Sequence, residues 1–221
     1  MSASALGAAV VHSRVERLRE LAANAGLEAV VLTNSASIAY LTGFRGLQHE
    51  RTIAAVVRAD GGGALVAPIL DREGVQAAPT RLDHVLYEYT SHGMPELIGE
   101  LGGASAVGVE ENDLSFARAS ALKAAGVTPQ PAGDLIMGLR ARKDTDEVEH
   151  IRAACTLIGD ALDVAFGRMQ VGETEAAVNA RTESWLRQRG AAVARSHIRF
   201  GECAVDGHGR PGPRTLAEGD M

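Results

Sequence analysis

Along residues 13–33, SRVERLRELAANAGLEAVVLT, the apolar positions Val15, Leu18, Leu21, Ala22 and Ala25 recur every three or four residues. That is the period of an amphipathic helix. Ser13, followed by Glu16 three residues on, predicts a capping box at its start, and Gly26 marks its end. Residues 29–32, AVVL, then read as a buried strand. Asn34 opens a polar turn, and SASIAYLTGF reads as a short helix. In RTIAAVVRADGGGALVAPIL two apolar runs flank Asp60 and three glycines, a hairpin signal. The following runs predict a helix (DREGVQAA), a strand (HVLYEYT), a helix (MPELIGELG), a strand (SAVGVE) and a helix (SFARASALKAAG). Helices alternating with strands over residues 13–127 predict an α/β domain built on a mixed sheet.

The texture changes after TPQPAGD, residues 128–134, whose two prolines and glycine predict a linker and a domain boundary. Beyond it Val148, Ile151, Cys155, Ile158, Leu162, Ala165 and Met169 form one stripe of a long helix. Asp144, Asp146 and Glu147 lie in its first turn, favourable against the helix dipole. Cys155 on that stripe is expected to pack in a core. A second helix spans GETEAAVNARTESWLRQRGA, capped by Thr174 and ended by Gly190, with Trp185 packed on its inner face. ARSHIRFGEC then alternates as a half-exposed strand, with Ser196, Ile198 and Phe200 on one face and His197 and Arg199 on the other. The expected organisation is a frayed start (1–12), an α/β domain (13–130) and a second domain of helices and a strand (131–221).

Composition narrows the function classes. The 221 residues carry a formal net charge of -6, which argues against a nucleic-acid surface or a polybasic membrane anchor. No apolar run approaches the roughly 20 residues a membrane-spanning helix needs. Residues 5–11 form a weak apolar patch without a preceding basic cluster, so they read as a frayed start rather than a signal peptide. Two cysteines fit a reducing cytoplasm better than a disulfide framework. Two glycine patterns are decoys. No Lys-Ser/Thr pair or helix follows Gly61, Gly62 and Gly63, as a phosphate loop requires. GHGRPG at 207–212 is interrupted by Pro211 and followed by Pro213, which disrupt the helix start that a dinucleotide site needs.

Four stretches, in order, resemble the creatinase/aminopeptidase P/prolidase ("pita-bread" metallopeptidase) superfamily. RVERLRELAANAGLEAVVLTNSASIAYLTGF is similar to the opening of the creatinase-type N-terminal domain. LIMGLRARKDTDEVEHIRAA resembles the R-x-x-K-x-x-x-E-[IV]-x-x-[IL]-R run that starts the second domain. VGETEAAVNARTESWLRQRGA resembles the G-x-T-E helix, and GHGRPGPRTLAEGD the H-x-x-P-x-x-R-x-L-x-x-G-D approach to the active site. The resemblance runs from about Ser13 to Asp220.

The resemblance implies a non-catalytic N-terminal α/β domain with a mixed sheet, followed over residues 131–221 by an incomplete α+β pita-bread catalytic domain. It implies two divalent cations (Mn, Co or Zn) in the intact metallopeptidase, held by two Asp, one His and two Glu. Such a pair makes hydroxide from water and polarises a carbonyl. In the family those ligands follow the Gly219–Asp220 step, so the chain itself is expected to hold no metal and to be inactive alone. His208 matches the family's loop histidine, which touches substrate or stabilises the reacting centre in peptidases and is the acid/base in metal-free members. Imidazole titrates near neutrality and suits either role. Arg214 matches a family position and is a candidate for carboxylate pairing or substrate contact. His197 and Arg199 are further substrate-binding candidates by their shared face. Asp206 and Gly207 precede His208 where many peptidase members carry an apolar residue and proline.

Three functions stand side by side. The first is a Xaa-Pro aminopeptidase or prolidase-like hydrolase. The second is a small-molecule enzyme of the same fold, creatinase-like, ectoine-hydrolase-like or sulfonium-lyase-like. The third is a non-catalytic binding or assembly protein. The enzyme readings imply a peptide or small-molecule substrate, no nucleic-acid or membrane partner, and a cytoplasmic homodimer.

Overall fold

Ala29–Leu32 is the first strand, β1, and all four of its residues are buried. A strand with both faces buried needs covering layers above and below, and this unit supplies them. The computed structural model describes residues 7–46 and 50–220. Its sheet has six strands in the order β4-β3-β2-β1-β5-β6, where β2 is Ala54–Arg58, β3 Gly63–Pro68, β4 Asp83–Tyr87, β5 Ala106–Val109 and β6 Thr128–Pro131. β2 runs antiparallel to both of its neighbours, while the β3–β4, β1–β5 and β5–β6 pairs are parallel. The expected mixed sheet is therefore present, and the hairpin around Asp60 is β2–β3.

Alternate residues of each strand enter opposite layers. On one side Val30, Leu32, Ala55, Val57 and Leu65 pack with Leu18 and Ala22 of α1 (Ala8–Asn24) and Leu41 of α2 (Ser35–Thr42). α3 (Arg72–Ala77) and α6 (Gly133–Ala141) join this layer through Val75 and Ile136. On the other side Val31, Val56, Val66 and Val107 meet Leu97 of α4 (Met94–Glu100) and Leu122 of α5 (Phe116–Ala124). Each buried Leu or Val contributes about 1.5–3 kcal/mol relative to exposure.

Three expectations change here. α1 begins at Ala8, with Gly7 at its N-cap and no side-chain cap, so Ser13 lies inside the helix instead of starting it. Residues 8–12 are helical and Val11 is fully buried, because the apolar patch continues the α1 stripe; residues 1–6 of the expected frayed start lie outside the described residues. The prolines of TPQP do not make a linker. They sit in β6, an edge strand, where a missing N–H costs no ladder bond on the open side. α6 then returns Ile136 and Leu139 to the core, so contacts divide the chain at Arg142/Lys143, after residue 142 rather than 130.

In the second unit, α7 (Thr145–Arg168) opens with a capping box between Asp144 and Glu147. This accounts for a glutamate at that point of the R-x-x-K-x-x-x-E run. The α7 stripe is apolar as expected but uncovered in this chain: Ile151, Ile158, Leu162 and Phe166 are exposed, as is Cys155. Ala165 of the stripe is buried, and a small cluster forms beside the stripe from Ala161, Leu186 of α8 (Glu175–Gln188) and Ala194. Cys155 is thus not a core thiol here. Trp185 does pack, half-buried beside this small cluster with the Arg189 guanidinium 3.7 Å from its ring centroid. Among the described residues no helix is long and apolar enough to cross a membrane.

Candidate active-site loop

The site is built from the start of α8 outward. Thr174 caps the helix by accepting the Ala177 N–H at 3.2 Å, and its neighbour Glu175 is carried inward to 1% exposure. Along α8, Glu175, Asn179 and Glu183 stand four residues apart, about 6 Å of helix rise per step. Residues 196, 198 and 200 of the following extended segment stand two apart, about 6.6 Å of strand rise. The near-match of these repeats lets side chains of one element bond the backbone of the other. Glu183 accepts the Ser196 N–H at 2.9 Å. Asn179 accepts the Ile198 N–H at 2.9 Å and donates to its carbonyl at 2.7 Å. Glu175 accepts the Phe200 N–H at 3.0 Å. Residues 195–198 and 200 follow the predicted alternation, but Arg199, expected beside His197 on the exposed face, is turned in toward Glu175; the segment forms no strand, and α8 side chains take the place of a ladder partner.

Glu175 also accepts the Gly212 N–H at 3.0 Å. Burial pushes its carboxyl pKa up, but two backbone donors and the Arg199 and Arg214 charges outweigh this and hold it below the ordinary range. Residues 212–216 run antiparallel to 172–176, through a Thr174–Thr215 bridge, Leu216 N–H to Glu173 O at 2.9 Å and Glu175 N–H to Arg214 O at 2.9 Å. The G-x-T-E and P-x-x-R-x-L runs, read separately in the sequence, thus lie side by side.

His208 stands on the loop between Phe200 and Gly212 and is exposed. Its backbone N–H donates to Asp206 Oδ1 at 3.2 Å, and the Asp206 carbonyl accepts the Gly209 N–H at 3.2 Å. Arg199, only 14% exposed in its side chain, lies 3.7 Å from Glu175 and donates to both the carbonyl and carboxylate of Asp206 at 3.1 Å. The His208 N–H and the Arg199 guanidinium together hold the Asp206 pKa below its ordinary value. A Cβ at Gly209 would meet the Arg199 guanidinium and the Asp206 carboxylate, which would have to shift to admit it.

Arg214 is clamped by two carboxylates. It donates to Glu202 at 3.0 and 2.9 Å and to Asp220 at 2.7 and 3.0 Å. Asp220 accepts the Ala217 N–H at 2.8 Å as well. Arg214 pulls the Glu202 pKa down to about 2. Gly201 has φ +49° and lies against this clamp; a side chain there would meet Arg214 and Asp220.

Of the residues predicted from sequence, Arg199 is joined to the His208 loop through Asp206, and Arg214 is engaged in its own carboxylate clamp beside it. His197 is exposed on the extended segment. Glu175, Asn179 and Asp206 were missed as organisers. The available signal was a polar i, i+4, i+8 series on α8 sharing a face with Val178, Thr182 and Leu186. The donor set does not fit a two-metal centre. Among the described residues no group of three or more His, Cys, Asp or Glu could hold a metal ion, and the local carboxylates are taken by guanidinium and backbone N–H groups.

Residues 14–142 match the creatinase/prolidase N-terminal domain. An uncharacterized peptidase of Staphylococcus aureus (strain USA300) is 28% identical over 212 residues, covering 92% of this chain and 58% of that protein. The chain is also similar to three solved structures. A Xaa-Pro dipeptidase from Bacillus anthracis superposes with a TM-score of 0.81 at 21% identity, over 94% of this chain and 58% of that one. The prolidase from Pyrococcus horikoshii OT3 gives 0.82 at 20% identity, over 95% and 58%. Dipeptidase PepE from Mycobacterium ulcerans gives 0.78 at 26% identity, over 96% and 59%. The first two likenesses carry the fold alone. The chain spans about 58% of the length of the curated relatives it matches. With the match running through α1 to α6 and ending where the first unit ends, the chain belongs to the creatinase/prolidase N-terminal domain family.

Proposed function

We propose that this chain is the N-terminal part of a hydrolase that cleaves Xaa-Pro peptides, with His208 touching the substrate or stabilising the reacting centre. The observation that carries the reading is the assembly of residues 172–176 with 212–216, which presents His208 on an exposed loop held from below by Glu175, Arg199 and Asp206. The peptide substrate class in this reading is taken from the names of similar proteins, a Xaa-Pro dipeptidase and a prolidase, whose likeness by itself carries the fold. His197 is assigned to substrate contact. Arg199 and Arg214, each already paired with carboxylates, are assigned to shaping the loop. Two divalent metals belong to the intact enzyme in this reading and would supply the activated water. The residues described here do not hold them, and the 221 residues alone are proposed to be inactive.

Asp206 and Gly207 ahead of His208 favour the second reading, a small-molecule enzyme of the same fold. One assay separates the two. The full product of the gene, supplied with Mn, Co or Zn, is expected to release proline from Xaa-Pro dipeptides. His208→Asn is expected to lower kcat/KM about 100-fold, the usual scale for removing one group that stabilises a reacting centre. Turnover of creatine, ectoine or a sulfonium acid with no proline release would replace the peptidase reading. Unchanged kcat/KM in the His208 variant would remove His208 from the reaction.

A further inference from the structure

A buried carboxylate is costly to keep, and a well-packed apolar residue at position 175 would serve α8 at least as well. The arrangement around Glu175 shows what its charge does instead. Its two oxygens accept the N–H groups of Phe200 and Gly212, the residues at either end of the His208 loop. Its charge also faces Arg199 at 3.7 Å, longer than a hydrogen bond, so Arg199 is held here by charge and by hydrogen bonds at Asp206. Asp206 in turn receives the His208 N–H. We propose that Glu175 is the positioning residue of the His208 loop: one carboxylate closes both ends of the loop and, through Arg199 and Asp206, sets where His208 stands.

This inference deepens the proposed function and rests on its reading of His208, but its geometry can be tested alone. Glu175→Gln keeps the shape, removes the charge and replaces one acceptor oxygen with a donor amide. In the uniformly 15N-labelled chain, amide hydrogen exchange at Phe200 and Gly212 is expected to rise roughly tenfold to a hundredfold, as for hydrogen bonds to a charged group. The amide and ring resonances of His208 should shift and broaden, while α1 and the β1–β5 amides keep their protection. Asp206 is 61% exposed in its side chain, so Asp206→Asn should fold even if the Glu175 variant does not. It is expected to move the His208 resonances while leaving Phe200 and Gly212 protected.

The proposal is overturned if His208 resonances in Glu175→Gln superimpose on the wild type, which would leave Glu175 a packing residue only. It is equally overturned if Asp206→Asn leaves the His208 signals unmoved. The assay of His208→Asn fails separately. Unchanged turnover there, with these spectral shifts present, removes the catalytic reading and keeps the positioning.

Discussion

The two units of this chain are ordered by different forces. Residues 7–142 follow apolar burial: the strands β1, β2 and β3 are covered on both faces, and their central Ala, Val and Leu side chains are fully buried. Residues 143–220 have a small cluster around Ala161, Leu186 and Ala194, and an α7 whose apolar stripe is largely in solvent. What fixes their loops is polar: Glu175 and Asn179 bond backbone groups 25 and 19 residues away, and Arg199 and Arg214 pair with carboxylates seven and six residues on. Burial is roughly proportional to area and tolerates small rearrangement. Hydrogen bonds to charged groups are directional and titrate. The first unit is thereby a scaffold with reserve, and the second holds a loop geometry that depends on protonation.

The strongest way to break that contrast is to shorten one leucine in each unit. Leu65 of β3 is fully buried, and Leu65→Ala is expected to cost about 2–5 kcal/mol through lost transfer energy and a cavity. Leu162 of α7 is 38% exposed, and Leu162→Ala should stay within about 1 kcal/mol. Urea unfolding of the full chain measures both. Trp185, the only tryptophan, reports the second unit by fluorescence. Equal costs at the two leucines would mean that the α7 stripe is packed in solution.

The same contrast explains what was legible in the sequence. Periodicity located β1, the β2–β3 hairpin and the helices between strands, because burial leaves a repeating apolar trace. It misread TPQP, since prolines signal a linker and an edge strand alike. It found the α7 stripe correctly but could not say what covers it, because a stripe specifies a face and not a neighbour. Glu175 was least legible: its partners lie 25 and 37 residues along the chain, and no local pattern encodes that reach. His208 and Arg214 were visible only through a matched motif, and Asp206, two residues from His208, looked like a departure rather than a support.

Titration should separate the units next. Glu175, Glu202, Asp206 and Asp220 all have carboxyl pKa values lowered in the folded state, Glu202 from 4.5 to about 2. A lowered carboxyl pKa contributes stability above the unfolded value that is lost as pH falls through the folded one. Glu28, Asp60 and Glu111 of the first unit are lowered as well, but they are exposed groups of a unit held by apolar burial, so Trp185 fluorescence is expected to report loosening of the second unit between about pH 4.5 and 2 before the sheet loses its protection. At the alkaline end the order reverses. Burial pushes Tyr87 up from 10 to about 12, against the opposing charge of Arg51. Its hydroxyl donates to the Thr52 carbonyl at 2.8 Å. The folded state then holds the proton more tightly, and stability of the first unit should fall as pH rises from about 10 to about 12. Tyr87→Phe should remove that alkaline dependence at a cost near neutrality of about 1 kcal/mol. Loss of both units in one acid step would mean that the two units are held by the same forces.

The gentlest probe is the thiol of Cys155. It sits on the α7 stripe between Ile151 and Ile158, and all three are exposed, whereas Cys203 is half-buried in the turn Gly201–Val205. A maleimide should therefore label Cys155 in the folded chain well before Cys203. Cys155→Ser should change stability by no more than about 0.5 kcal/mol, as for an uncoupled surface position. Position 155 reports on the whole stripe because Ile151, Cys155, Ile158 and Leu162 share one side of the helix at three- and four-residue steps. If the thiol resists labelling until the chain unfolds, the stripe is covered in solution. Protection that disappears on dilution would assign the cover to a second copy of the chain, and the second unit would then owe its order to burial after all.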